Sequence, residues 1–442
     1  MLPPFQRYIA LGLLSLGSSV VSLIAEDYPQ WRGVNRDGVL NESGLIQKLP
    51  EGELPRLWTV PVGPGYSGPT VSQGRVFLTD RGVSAEESDT ERVLCFNAED
   101  GSLIWSHEYQ AKYNDEQYNI GYKAGPRAAV TIDDSKAYSI GAMGHLKCFE
   151  VLSGDLVWQR NLASEYAVKM PIWGITSAPL IFNELLIQIV GGTDSSCVVA
   201  FDKATGKEKW RALDELAGYS APILVRQGDQ DVVVCWTGQS VSGLNPVTGE
   251  TFWRFPMEPR NMPIGVATPV VSGKHLFVSS FYDGSMLIEL DLNRPEAKQV
   301  WRRIGQSEKN TDSLHCMIST PLIKGNHIYG VDSYGELRCL ALQTGDRIWE
   351  DTTAVPTARW ATIHTLQDGD REIMLNDQGE LLFTQLNPER FIETSRTKLL
   401  APTLRQLPRR NGVTWAHPAI ANGVIYARSD EELVAASLTH SK

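Results

Sequence analysis

The 442-residue chain predicts an all-β fold, an eight-bladed β-propeller built from four-stranded antiparallel blades. Three observations carry that prediction. A turn-and-tryptophan phrase returns five times at one spacing. A small-x-Pro phrase returns between those copies, each time ahead of an alternating strand. The unit they define repeats at steps from 43 residues (Trp210→Trp253) to 53 (Trp105→Trp158), and four short strands per such period is the sequence sign of a propeller blade.

The first phrase is seen in "FDKATGKEKW" (201–210), where Thr205-Gly206 turns the chain and Trp210 follows four residues later. The same offset joins Gly101 to Trp105, Gly154 to Trp158, Gly249 to Trp253 and Gly345 to Trp349. Glycine suits the turn because a left-handed backbone is cheap only there. Trp58 and Trp301 extend the series without the glycine. These seven tryptophans are expected to dock blade on blade, each ring covering a neighbouring turn and each indole N–H finding a backbone acceptor.

The second phrase opens the innermost strand of each blade: "SGP" (67–69), "SAP" (177–179), "SAP" (220–222), "ATP" (267–269), "STP" (319–321) and "AHP" (416–418), with "AAV" (128–130) and "ATI" (361–363) in the same register. In "PLIKGNHIYGVDSYGELRCLALQTGDRIW", alternating apolar residues between glycine-bearing turns give the four strands of one unit. The last unit, "WAHPAIANGVIYARSDEELVAASL", stops after three strands, and "PRLWTVPV" near the N-terminus is a strand without predecessors. The N-terminal strand is therefore expected to complete the C-terminal blade and close the ring.

The ends are read separately. Residues 1–25 carry Arg7, an apolar run and then Glu26-Asp27, the pattern of a signal peptide or an uncleaved anchor. Residues 26–54 are an extension packed on the propeller, with Trp31 of "PQWRG" pinning it; residues 55–438 are the propeller, and 439–442 a tail. An exported, periplasmic or cell-surface protein follows. The net charge of −11 argues against nucleic acid, which needs a basic face. The membrane is reached only through an uncleaved leader, and a monomer is expected.

The six cysteines are expected to stay reduced. Cys95, Cys148 and Cys339 sit six residues before the turn glycine, a place that Ala200 and Gly243 fill elsewhere. A position shared by Cys, Ala and Gly is a small buried site.

Candidate site residues come from the inner-strand register. One step before each strand stand small residues (Ser67, Ala128, Ser177, Ser220, Ala267, Ser319, Ala361, Ala416), as a crowded axis requires. One step earlier stand Tyr66, Arg127, Thr176, Tyr219, Val266, Ile318, Trp360 and Trp415. These are expected at one mouth of the channel, with Trp173 just upstream, as a plug or as a ligand floor of ring faces and one guanidinium. His315 and His417 lie beside the same strands and join the candidates. No metal site is assigned: "QDGDRE" (367–372) and "QGDQD" (227–231) read as hairpin turns, and the histidines lack HxH or HExxH spacing. No catalytic residue is assigned.

The "TGxxxW" phrase and the eightfold count resemble the quinoprotein-type propellers, a group that takes in the pyrroloquinoline quinone (PQQ) alcohol dehydrogenases and the outer-membrane assembly factor BamB. "YPQWRGVNRDGV", "GYSGP" and "AGPRAAV" resemble exported bacterial PQQ-like repeat proteins, some of them labelled polyvinyl-alcohol dehydrogenases. The resemblance implies either of two functions. One is a noncatalytic binding or assembly scaffold for a protein, peptide or glycan, with no cofactor. The other is a PQQ-dependent alcohol or sugar oxidoreductase, whose members hold the quinone on the axis with calcium, an aspartate base, an arginine, a stacking tryptophan and commonly a vicinal disulfide. This chain has no adjacent cysteines and is short for the second, so the scaffold leads.

Overall fold

The computed structural model describes residues 26–82, 89–113, 125–403 and 412–440. The leader and the last two residues of the tail lie outside the described residues. Eight sheets form the propeller, each running from an inner to an outer strand. In the first blade the strands are Thr70–Ser72, Arg75–Arg81, Thr90–Asn97 and Leu103–Gln110. Six further blades follow over residues 131–161, 180–212, 223–256, 270–303, 322–351 and 363–398. The eighth takes Ala419–Ala421, Val424–Arg428 and Glu432–Ser437, and its outer strand is Arg56–Pro61, antiparallel with Trp58 opposite Ala435 and Thr59 opposite Val434. Inner and middle strands are buried almost throughout, while outer strands alternate exposed and half-buried residues, so the blade-to-blade layers hold the core.

The repeated phrase has a plain packing reason. The small residue and the tryptophan face each other across two strands: Cys95 opposite Trp105, Cys148 opposite Trp158, Ala200 opposite Trp210, Gly243 opposite Trp253 and Cys339 opposite Trp349. A larger partner would lift the indole off the sheet. All six cysteines are free and buried. On its far side each ring meets the next blade. Gly249 has φ +77°, and an added Cβ there would lie 2.6 Å from Trp210 Cε3. The indole N–H groups donate to carbonyls one blade on: Trp58 to Ala98 (2.9 Å), Trp105 to Val151 (3.0 Å), Trp158 to Lys203 (3.0 Å), Trp210 to Pro246 (3.0 Å), Trp301 to Leu342 (2.9 Å) and Trp349 to Asn387 (3.0 Å).

Trp253 differs. It donates to Gln227 Oε1 (2.9 Å), whose amide N–H group reaches the carbonyls of Asp291 (2.9 Å) and Glu296 (2.7 Å) on the next blade. One side chain thus relays the contact that the other outer indoles make directly.

Residues 28–40 do more than rest on the ring. Tyr28 forms an antiparallel bridge with Val71 on the first inner strand, and the Ile132 N–H donates to the Pro29 carbonyl (2.8 Å). The fully buried Arg36 donates to the carbonyls of Ala178 (3.2 Å), Pro222 (3.0 Å) and Pro179. Val39–Leu40 then runs parallel to Ile363–Asp368 as a fifth strand on the seventh blade. The segment touches inner strands around the circle and fills one end of the channel. A one-turn helix, Leu162–Glu165, capped by Asn161, is the other element the repeats do not announce.

Candidate functional site, an axial chamber

At the other end of the channel the eight residues ahead of the inner strands converge. Tyr66, Arg127, Thr176, Tyr219, Val266, Ile318, Trp360 and Trp415 all line one cavity of about 120 Å³, together with Trp173 and His417. The small residues beside them are buried, which leaves the larger side chains room to lean over the axis. Their rings pack on one another. Ring centroids are 5.7 Å apart for Tyr66 and Trp415, 6.3 Å for Trp415 and Trp360, 6.3 Å for Trp360 and Trp173, and 5.2 Å for Trp173 and Tyr219. Arg127 closes the circle: its guanidinium lies 4.8 Å from the Tyr66 ring centre and donates to the Trp173 carbonyl (3.0 Å). The mouth is an iris of ring faces, tilted and edge-on as aromatic quadrupoles prefer.

Trp360 is held there against its backbone preference. Its φ is +65°, a left-handed conformation that costs a non-glycine residue on the order of 1–3 kcal/mol. The Trp360 N–H donates to the Ser333 carbonyl (2.9 Å). Arg359 lies 4.6 Å from its ring centre and is fixed by two bonds to Glu308 (2.8 and 2.7 Å).

The floor of the chamber comes from the N-terminal segment. Trp31 lines the cavity, donates its indole N–H to Thr268 Oγ1 (2.8 Å) and packs 5.0 Å from the His417 ring. His417 and His364 stand 5.0 Å apart. The His364 Nε2–H donates to the Trp415 carbonyl (2.7 Å), and His417 Nδ1 faces the Pro418 carbonyl at 2.5 Å. Each ring therefore carries its proton on the nitrogen that meets a carbonyl, and each keeps a lone pair on the other. Burial, with the nearby Arg32 guanidinium, pushes His364 down to about 4. Burial, His364 and Arg32 push His417 well below the usual histidine range. Both are neutral acceptors at neutral pH. Gly68 of the first inner-strand phrase makes room: a Cβ there would lie 2.5 Å from the His417 carbonyl oxygen.

His315 does not join this site. Its buried imidazole accepts from the Gly305 N–H at Nε2 (3.0 Å) and donates from Nδ1 to the Phe281 carbonyl (2.9 Å), binding loops of the fifth and sixth blades. Proximity in sequence to an inner strand was a poor guide, because the side chain turns into the blade interface. Conversely, sequence reasoning passed over His364 and gave Trp31 only a pinning role. Trp31 carries one usable signal: it is a tryptophan outside every repeat register.

The chamber does not fit PQQ with calcium as the quinoprotein dehydrogenases hold them. None of its described lining residues is Asp or Glu, so among the described residues neither a carboxylate base nor an anionic oxygen ligand for calcium lines the chamber. Among the described residues no three His, Cys, Asp or Glu side chains converge as metal ligands. Arg127 is the one cationic group lining the chamber among the described residues, and it is engaged with Tyr66 and Trp173.

Comparison with known proteins gives the relationship. The chain is 23% identical over 248 residues to the outer membrane protein assembly factor BamB of Shewanella oneidensis, an overlap of 53% of this chain and 58% of that relative. It is 23% identical over 242 residues to BamB of Bordetella pertussis, 52% of this chain and 56% of the relative. The chain thus spans a little over half the length of the curated relatives it matches. Among solved structures, BamB from Moraxella catarrhalis superposes with a TM-score of 0.58 at 15% identity, covering 88% of this chain and 99% of that one. Quinohemoprotein alcohol dehydrogenase from Comamonas testosteroni superposes at 0.60 with 12% identity, covering 94% and 81%. At these identities the likeness speaks for the fold alone. The profile described as outer membrane protein assembly factor BamB matches residues 52–170 and 89–351, most of the repeat array, and on that match the chain belongs to the BamB family.

Proposed function

We propose that this protein is an exported, noncatalytic scaffold of the cell envelope that binds a protein partner during assembly, the role named for its BamB relatives. The observation that carries the reading is a run of exposed apolar side chains on the outer strands of three consecutive blades: Leu57 on the eighth, Leu103 and Ile104 on the first, Leu156 and Val157 on the second. Each of these strands is the last of its sheet. Exposed apolar side chains repeated on neighbouring edge strands offer a partner apolar anchor points, and a terminal strand adds backbone donors and acceptors for an extended partner. The chamber supports the noncatalytic half of the reading, since its described lining pairs no nucleophile with a base.

The test is photocrosslinking in the producing cell. A photoreactive residue at Leu103 or Val157 is expected to trap a discrete envelope protein, and one at Val247, exposed on the fourth blade, is not. Equal labelling at all three sites would remove the docking face. Saturable binding of PQQ with calcium, coupled to alcohol oxidation, would overturn the noncatalytic reading.

A further inference from the structure

We propose that the loop 305–312, between the fifth and sixth blades, is a latch, and that Trp360 is the gate it holds over the axial chamber. Trp360 sits at φ +65°, a conformation that persists in a non-glycine residue only where its surroundings impose it. Those surroundings converge on Glu308 at the tip of the loop. Arg359 lies 4.6 Å from the Trp360 ring centre and 5.4 Å from that of Phe281. Glu308 accepts both bonds of the Arg359 fork (2.8 and 2.7 Å) and the Tyr334 O–H (2.8 Å). The Glu308 carbonyl accepts from Ser333 Oγ (2.6 Å), and the Ser333 carbonyl accepts the Trp360 N–H (2.9 Å). One carboxylate residue thus grips both the cation beside the indole and the residue that holds its backbone.

The loop is built to swing at its tip. The N–H groups of Gln306 and Ser307 bond to the Asn310 carbonyl (2.8 and 3.3 Å), and Ser307 Oγ accepts the Asn310 N–H (3.0 Å), so the tip is a compact turn. The base is fixed separately, by Arg303 to Asp312 (3.0 and 2.8 Å) and by the Gly305 N–H to His315 (3.0 Å). Residues 306, 307, 309 and 310 are exposed while Glu308 is half-buried, and Lys309 adds only a distant contact with the Tyr334 ring (6.0 Å). A left-handed tryptophan and a forked guanidinium–carboxylate pair oppose each other with energies of similar size, which keeps an open state close to the closed one. With the fork broken, residue 360 relaxes and carries its ring off the axis. Trp360 stands between Trp173 and Trp415 in the iris, so its departure opens a gap there for a small uncharged solute.

The test reads access to the chamber wall. Ala221 lines the chamber and is 5% exposed, and all six native cysteines are buried. In the full chain carrying Ala221→Cys, the rate of labelling by methyl methanethiosulfonate, a small uncharged reagent, is followed by mass. Adding Glu308→Gln, which keeps the shape and removes the charge, is expected to raise that rate at least about tenfold. Arg359→Gln, on the other side of the fork, is expected to do the same. Trp360→Gly removes the ring and the backbone strain together; it is expected to raise the rate by itself, and Glu308→Gln on top of it is expected to add nothing. Native cysteines that stay unlabelled report an intact ring of blades. The latch is refuted if both fork variants keep the starting rate, or if Glu308→Gln has its full effect in Trp360→Gly. It is refuted equally if the starting rate already matches that of Trp360→Gly, or if labelling rises only together with that of the native cysteines.

Discussion

The outer tryptophans and the axial ones share a side chain and differ in everything around it. Outside, a small cross-strand residue lies under the indole, a turn glycine lies over it, and an acceptor takes its N–H. At the axis, Trp31 bonds to a side-chain hydroxyl and Trp415 finds no partner among the described residues. The ring faces there meet other rings edge-on and leave a space between them. The difference teaches how to tell packing from readiness in a repeat protein. A residue that repeats with its whole environment holds the fold. A residue that repeats in position while its chemistry varies from blade to blade (Tyr, Arg, Thr, Tyr, Val, Ile, Trp, Trp) is where one molecule departs from the pattern.

The largest expected effect lies on the outer ring. Trp210→Ala removes a buried indole from a blade interface and is expected to lower stability by about 3–5 kcal/mol, read by denaturant unfolding. A loss below about 1 kcal/mol would erase the distinction between the two sets. Next comes the glycine above that ring. Gly249→Ala forces a left-handed alanine and a clash with Trp210, together about 2–4 kcal/mol. In Trp210→Ala the clash partner is gone, so the same glycine substitution is expected to cost about 2 kcal/mol less there; simple additivity would show that the two do not act as one lock.

The axial region carries a pH dependence of its own, acting in the same direction as that of His107 on the first outer strand, whose pKa burial also lowers. Unfolded His364 takes a proton near the ordinary histidine value of about 6.5, whereas folded His364 waits until about 4. Between those values the unfolded chain binds more protons. The stability tied to neutral His364 is full above pH 6.5 and lost as pH falls toward 4. The loss at pH 5 is about 2 kcal/mol, and His417 acts in the same direction. Glu91 and Glu372, whose carboxyls burial pushes up, act with the opposite sign. The clean measurement is therefore a difference: Tm is expected to fall less between pH 7 and pH 5 in His364→Gln than in the wild type. Parallel curves would place the proton elsewhere.

What could be read from the sequence follows the same division. The blades were legible because each repeats its own explanation: the glycine, the tryptophan and the small residue recur together, and so do Tyr66, Arg127, Trp360 and Trp415 as a register. The floor was not. Trp31 meets Thr268 across 237 residues, and no local pattern joins an N-terminal loop to a fifth-blade hydroxyl. His364 looked like any strand histidine; it becomes part of a site only when Trp415 of the next blade places a carbonyl at its Nε2. His315 shows the converse, a residue in a promising position whose nitrogens both serve loops.

Arg127 offers the smallest effect and the sharpest cut. Two arginines hold the ring together from inside: Arg36 across the third and fourth blades, and Arg428, which donates to the Thr79 and Gly63 carbonyls and joins the eighth blade to the first. Both are fully buried, and losing either would strand several carbonyls. Arg127 is half-buried, and its contacts include the Trp173 carbonyl and the Tyr66 ring face. Its removal forgoes a charge-assisted bond and a cation–π contact, about 2 kcal/mol at a half-buried site, and a Tm shift of about 2–4 °C in a chain of this size. The iris, however, loses the member that closes its circle. Acrylamide quenching of tryptophan fluorescence is expected to rise in Arg127→Ala while the melt stays cooperative, because Trp173, Trp360 and Trp415 become reachable without the blades parting. If Arg127→Ala instead costs 3 kcal/mol or more and quenching rises only with unfolding, Arg127 belongs with Arg36 and Arg428 as a blade lock, and the axis is packed for the same reason as the rim.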